Sequence, residues 1–275
     1  MPVTDILYKQ KTSAVSIRKF RSLTFGCMSA VSQGKICVNG CDNALKKIEK
    51  SNQTNELLKK IFACAAVMCA LLMLDGLMQA SSLRLFSVRM DAKPALIIAG
   101  ALYMALLVVI YRLIPNKTLI ARDGCHLFRE SMAHAVLALV LQAGMLKFYE
   151  LAIGQKLTSG NQTSLVAGMK HDLFPIVICA VAIAPLMEEL IFRLVPSLFF
   201  ADLWRTAGGC MLVMSVTGAL FSLSHAPDNA MVFSVYFVTG IVFGHACRRG
   251  GYACSSLAHF CYNLASVALA LSTVS

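Results

Sequence analysis

The sequence predicts an all-α, polytopic transmembrane bundle of seven or eight spans, preceded by a basic N-terminal arm. Three observations carry that expectation. Of the 275 residues 57% are hydrophobic and only 14% charged, whereas a soluble domain is nearer a quarter charged and under half apolar. The mean hydropathy is +0.68, and a chain of this length cannot bury that much apolar surface in one or two aqueous cores. The apolar residues come in unbroken runs of about 20, the length a helix needs to cross a bilayer, without the alternation of an outer-membrane barrel. A soluble enzyme fold, a disordered chain and a collagen-like repeat are excluded.

Residues 1–60 form the arm, read as one domain. They hold eleven Lys/Arg against four Asp/Glu, much of the formal charge of +11. In a soluble protein such an arm would suggest nucleic acid. Ahead of a span it reads as a positive-inside signal that places the N-terminus in the cytoplasm and touches anionic lipid, so no nucleic-acid partner is expected. No short apolar segment with a small-residue cleavage site occurs in it.

Residues 61–275 form the membrane domain. Apolar windows fall at 61–80, 95–114, 131–153, 173–191, 207–224, 230–247 and 252–273. The stretch 173–200 is interrupted by Pro185, Glu188, Glu189, Arg193 and Pro196. It is either a kinked long helix or a span followed by a second helix, which leaves the count at seven or eight. In the seven-span arrangement Glu188 lies toward one membrane face and His225 toward the other. The eleven cysteines show no CxxC or zinc-ligand spacing and read as small, buried, reduced residues.

Ionisable groups inside a span cost on the order of 2.5–3.5 kcal/mol each on insertion scales, so those that are kept need a reason. Asp75, His134, Lys147, Glu150 and His245 are scattered singles. Lys147 and Glu150 are spaced to pair on one helix face, and the two histidines read as satisfied interior groups. The segment from Ala184 to Arg193 differs, with two adjacent acids followed by an arginine. On a helix Glu189 and Arg193 stand at i,i+4 in the favourable order. Glu188, rotated by about 100°, faces elsewhere. Pro185 predicts a kink or helix start just before the acids. One neutralised carboxylate beside one available suits a catalytic base; a structural ion pair with a spare acid is the plain alternative. His225 ends the next apolar run, and His259 and Asn263 share one face of the last. Peptide hydrolysis needs an activated water and a stabilised oxyanion. Glu188 with His225 supplies the first, His259 and Asn263 the second. The same Glu/His/His set suits a zinc ion equally, although no HExxH is present.

Glu188-Glu189-x-x-x-Arg193, Phe221-x-x-x-His225 and His259-x-x-x-Asn263, in that order on hydrophobic segments, resemble the three motifs of the CPBP (Abi) family. These are intramembrane endopeptidases that include the type II CAAX prenyl proteases, or Ras-converting endopeptidases. The glycine-bearing lead-in from Gly240 and Gly244 through Arg248, Gly250 and Ser255 to His259 is similar too. The resemblance covers about residues 170–270 and not the arm. It implies an all-helical membrane core with a water-accessible cavity. Glu188 is similar to the family's catalytic glutamate and His225 to its water-orienting histidine. His259 and Asn263 match the oxyanion positions, and Glu189 and Arg193 the supporting pair. A metal-free glutamate mechanism is preferred over zinc, because Asn263 is a poor zinc ligand and a natural oxyanion donor. The implied substrate is a membrane-associated protein or peptide. It is a prenylated CAAX terminus where the source prenylates proteins, and a peptide precursor in a bacterium. The compact chain favours a bacterial plasma membrane over the endoplasmic reticulum. A non-enzymatic bacteriocin-immunity or scaffold protein of the same fold is the alternative, and a small transporter is disfavoured by the lack of inverted repeats.

Overall fold

The structure, a computed structural model, describes residues 53–73, 75–76, 124–154, 163, 166–169 and 173–274. Residues 1–52 of the arm and the expected span 95–114 lie outside the described residues. The chain divides into two units, Met1–Lys59 and Lys60–Ser275. Of the first, residues 53–59 are described and are helical.

Among the described residues the second unit is helical throughout, with no strand. Its elements are α1 (60–73), α2 (Gly124–Ile153), α3 (173–199), the short α4 (Ala201–Arg205), α5 (Ala207–Ser224), α6 (Ala230–Gly250) and α7 (Tyr252–Val274). Among the described residues four helices are long and apolar enough to cross a membrane: His126–Ile153, Ala207–Ser224, Ala230–Gly250 and Tyr252–Ser272. The protein is an integral membrane protein.

The helices begin and end where the sequence supplies caps. Thr206 accepts from the Gly209 N–H to open α5, and Asn229 accepts from the Met231 and Val232 N–H groups to open α6. Gly251, at φ +81°, closes α6 with its N–H on Cys247 O and turns the chain straight into α7. α2 packs antiparallel to α6 and parallel to α7 through a core rich in small residues, Ala135, Ala138, Ala246, Cys254 and Ala258, with Phe243 and Tyr262 filling the gaps. Small side chains let membrane helices approach closely, so that polar ties can cross between them. Ser131 donates to Cys254 O at 3.2 Å, Tyr149 meets Ser234 at 2.6 Å, and Arg249 reaches Glu130 at 3.3 Å. His134 and His245, both expected to be satisfied interior groups, meet at 2.9 Å, but only His134 is buried, and His245 is exposed on the face of α6. Lys147 and Glu150 form the expected pair at 2.9 Å.

α3 differs from the expected span 173–191. It runs unbroken to Phe199, with no second helix after a kink. α-Helical stretches (Leu173–Ile178, Ala184–Glu189, Val195–Phe199) alternate with two π-helical ones (Cys179–Ile183, Leu190–Leu194). At about 1.5 Å per residue the extension sets Glu188 some 12 Å further from the helix end than a helix stopping at 191 would. That removes about half of the expected depth mismatch with His225. α1 packs Cys64 and Met68 against Ile191, Phe192 and Val195 of α3 and Phe221 of α5, covering the second π stretch.

Candidate active site

Two prolines shape the helix that carries the acids. Pro185 has no N–H to give a preceding carbonyl, and the turn before it is widened, with the Ala184 N–H on Cys179 O, five residues back. The same occurs before Pro196, where the Val195 N–H bonds Leu190 O. In place of the sharp kink or helix start expected at Pro185, the helix continues through a π turn. Each such turn inserts a residue and rotates the remainder of the helix about its axis. Between the two turns lie Glu188 and Glu189.

Glu189 and Arg193 are fully buried, with Nε 3.5 Å from Oε2. The guanidinium also donates to Gly240 O on α6 at 2.9 Å and to Phe192 O at 3.2 Å, and its carbon lies 5.3 Å from the centroid of the Phe221 ring. The other Glu189 oxygen accepts from His259 Nδ1 at 3.0 Å. A buried carboxylate needs a counter-charge and donors; Glu189 has Arg193 as the counter-charge and His259 as donor to Oε1, while its Oε2 and the Arg193 Nε make no hydrogen bond among the described residues. Gly240 makes this possible: a Cβ there would stand 3.1 Å from the Gly218 Cα and 3.2 Å from the Phe221 ring, so only glycine lets α6 come close enough to α5 to offer its carbonyl to Arg193.

Glu188 points the other way and is the open carboxylate of the two, with its side chain 16% exposed. It faces two imidazoles: Oε1 is 4.0 Å from His225 Nε2 and Oε2 is 3.7 Å from His259 Nε2. His225 sits just past α5, where Nδ1 donates to Phe221 O at 2.8 Å, one of the carbonyls a helix end leaves without a partner. That bond leaves Nε2 of the neutral ring as an acceptor turned to Glu188. Tyr236 of α6 stacks on the ring with centroids 4.3 Å apart. His259 is held in the same manner, by Nδ1 on Glu189 and by Phe243 stacked at 4.3 Å. Arg193, Glu189, His259, Glu188 and His225 thus form a series of alternating basic and acidic groups drawn from α3, α7 and the end of α5. Such an arrangement can take a proton from a bound water and pass it on.

Asn263, one turn beyond His259, donates to Ala180 O at 2.7 Å, about two turns from Glu188 along α3. The structure therefore brings Glu188, His225 and His259 together, pairs Glu189 with Arg193, and sets Asn263 against the backbone of α3. Zinc is the alternative occupant of the Glu/His/His set. Among the described residues no group of three or more His, Cys, Asp or Glu side chains is placed to hold a metal ion.

Residues 170–265 match the family model "Rce1-like: Type II CAAX prenyl endopeptidase Rce1-like". The match is to this segment, about a third of the chain. No curated protein and no solved structure matches the chain. All six expected residues, Glu188, Glu189, Arg193, His225, His259 and Asn263, fall inside the matched segment, and the family it resembles is one of endopeptidases. Three residues of the site in this segment escaped the sequence reading: Tyr236 and Phe243, which hold the imidazoles, and Gly240 as the acceptor for Arg193. Their signal was present as spacing, since 236, 240 and 243 lie on one face of a helix. Asp75, noted only as a scattered single, lies outside the Rce1-like segment, is buried, and is near enough for its charge to act on Glu188.

Proposed function

We propose that the chain is an intramembrane endopeptidase that hydrolyses a peptide bond of a membrane-associated protein or peptide through a glutamate-activated water. One observation carries this reading: Glu188 is the partly open carboxylate, set between two imidazole Nε2 atoms at 4.0 and 3.7 Å, while its neighbour Glu189 is committed to Arg193 and His259. Two hydrogen bonds of about 2.8 Å made by one water span roughly 4–4.5 Å. A water donating one hydrogen to Glu188 and the other to His225 therefore fits the space between them.

Glu188 takes the proton as the water oxygen attacks the scissile carbonyl carbon. The oxyanion that forms is met by His259, as an imidazolium balanced by Glu189, and by the amide hydrogen of Asn263 that Ala180 O does not take. The proton on Glu188 then passes to the leaving nitrogen as the C–N bond breaks, and the carboxylate is restored. The mechanism uses no metal. The substrate is a prenylated C-terminal CAAX sequence where the source prenylates proteins, and a peptide precursor otherwise. The protein works in a bacterial plasma membrane, with lipid around it and the N-terminus in the cytoplasm.

The test is cleavage of a panel of prenylated and unprenylated peptides by purified protein, wild type against Glu188→Gln, with and without a strong chelator. Cleavage lost in the variant and indifferent to chelator is expected, and the preferred peptide gives the substrate class. Cleavage lost to chelator and restored by zinc overturns the metal-free mechanism. A Glu188→Gln protein that keeps its biological effect overturns the enzyme in favour of an immunity or scaffold protein.

A further inference from the structure

The widened turn before Pro185 leaves a specific gap in the bonding of α3. The Ala184 N–H bonds Cys179 O, five residues back. In that register the next donor belongs to residue 185 and its acceptor is Ala180 O, but proline has no N–H. The donor that reaches Ala180 O comes from another helix, from the Asn263 side-chain amide at 2.7 Å. At the second widened turn, before Pro196, the Arg193 guanidinium donates to a carbonyl of the same helix, Phe192 O, at 3.2 Å. Both polar side chains also belong to the site that the acids between the two turns help to form.

We infer that Asn263 is a positioning residue: it supplies α3 with the hydrogen bond that Pro185 removes, and so fixes the register in which Glu188 is presented. A carbonyl left without a donor inside a bilayer is unfavourable, so without Asn263 the helix gains by drawing its turn back toward α geometry. Removing the inserted residue from that turn would rotate everything after it by about 100°. Glu188 would leave the space between His225 and His259. Asn263 acts here through the α3 backbone, in addition to any contact with the reacting oxygen.

The inference rests on the proposed peptidase activity only for its kinetic readout. Its thermal readout stands without it. The experiment is a double-mutant cycle on the full chain in detergent, with Asn263→Ala, Pro185→Ala and the two combined, each scored by thermal unfolding and by kcat and KM on the best peptide. Pro185→Ala restores a backbone donor for Ala180 O. The loss of Tm caused by Asn263→Ala should therefore be smaller in the Pro185→Ala background, a departure from additivity. The double variant should recover kcat about tenfold over Asn263→Ala with KM little changed. Recovery is partial, because one oxyanion donor is still missing. Equal Tm losses in both backgrounds, or a double variant no more active than Asn263→Ala, overturn the inference. If Asn263→Ala does not survive extraction, its rescue as folded protein by Pro185→Ala is the expected result, and continued loss overturns it. A Glu188→Gln protein that still cleaves would instead defeat the peptidase mechanism and leave the thermal cycle to decide this point.

Discussion

Glu188→Gln keeps the size and hydrogen-bonding reach of the side chain and removes its capacity to accept a proton. The variant should insert and unfold like wild type, while cleavage falls by about 10²–10⁴-fold, the usual worth of a general base. Cleavage assayed beside a thermal melt checks both halves, and retained turnover refutes the role. Arg193 makes a different prediction, because it sits at the closed end of the series of charges. Arg193→Ala leaves Glu189, fully buried, with no counter-charge, and breaking a buried pair costs about 3–5 kcal/mol. Folded yield and Tm should drop together. Replacing both charges, as Arg193→Met with Glu189→Gln, should recover much of the stability but not the activity, since His259 loses the carboxylate that holds its Nδ1. A double variant as unstable as Arg193→Ala would show that the guanidinium matters through Gly240 O and Phe192 O instead. At this scale the sequence was informative. The i,i+4 spacing of Glu189 and Arg193 separates the committed acid from the open one, and the same split is seen in their exposure.

Elements were legible to unequal degrees, and the differences have physical causes. The run 207–224 is bounded by Thr206 and by the helix-ending His225, and α5 occupies that same range. α2 starts at Gly124, ahead of the apolar window at 131, because its first turns are polar: Arg129 bonds His126, and Glu130 pairs with Arg249. An apolar window measures the part of a helix that lies in lipid and misses a helical end that carries charge. α3 was the hardest to read. Pro185 and Pro196 each suggest a break, yet α3 runs through both, and at Pro185 a side chain from another helix supplies the bond the proline withholds. Nothing in composition announces a π turn. Close helix approach was equally hidden, and it makes the element-scale prediction. In Gly240→Ala the added Cβ would press on the Gly218 Cα at 3.1 Å. A backbone atom cannot rotate aside, so α5 and α6 must separate, at a cost of about 1–3 kcal/mol. Gly240 O would then withdraw from Arg193. The variant should melt lower than wild type and lose cleavage more than Tm alone explains. Gly208→Ala, where an added Cβ meets nothing within 4 Å, serves as the control, and equal effects in the two would refute the close-approach argument.

The helix pairings of the second unit set which ends lie together. Ser131 bonds Cys254, His134 bonds His245, and Tyr149 bonds Ser234, so the start of α2, the end of α6 and the start of α7 share one end of the bundle. Ser222 donates to Phe233 O, and Gly244 abuts Met214, which places the start of α5 at that same end. His126, Arg129, Arg205, Arg248 and Arg249 therefore gather there, although 76 positions separate Arg129 from Arg205 in the sequence. The opposite end, around His225, Asp228 and Asn229, carries Lys147 of α2, which is paired with Glu150, and no Lys or Arg between Arg205 and Arg248. Lysine and arginine close to span ends are retained on the cytoplasmic side, and the negative leaflet surface adds about 1 kcal/mol for each such residue near it. The Arg-bearing end should accordingly face the cytoplasm and the Asp228 turn the other side. The test is labelling by a membrane-impermeant thiol reagent of Arg205→Cys and Asp228→Cys proteins, read above the wild-type background, in intact cells and in inverted vesicles. Asp228→Cys should label only in intact cells and Arg205→Cys only in inverted vesicles. The reverse pattern would turn the bundle over and put the open side of Glu188 at the other surface. Labelling of both positions from one side would break the antiparallel pairing of α5 and α6, and with it the approach of His225 to Glu188.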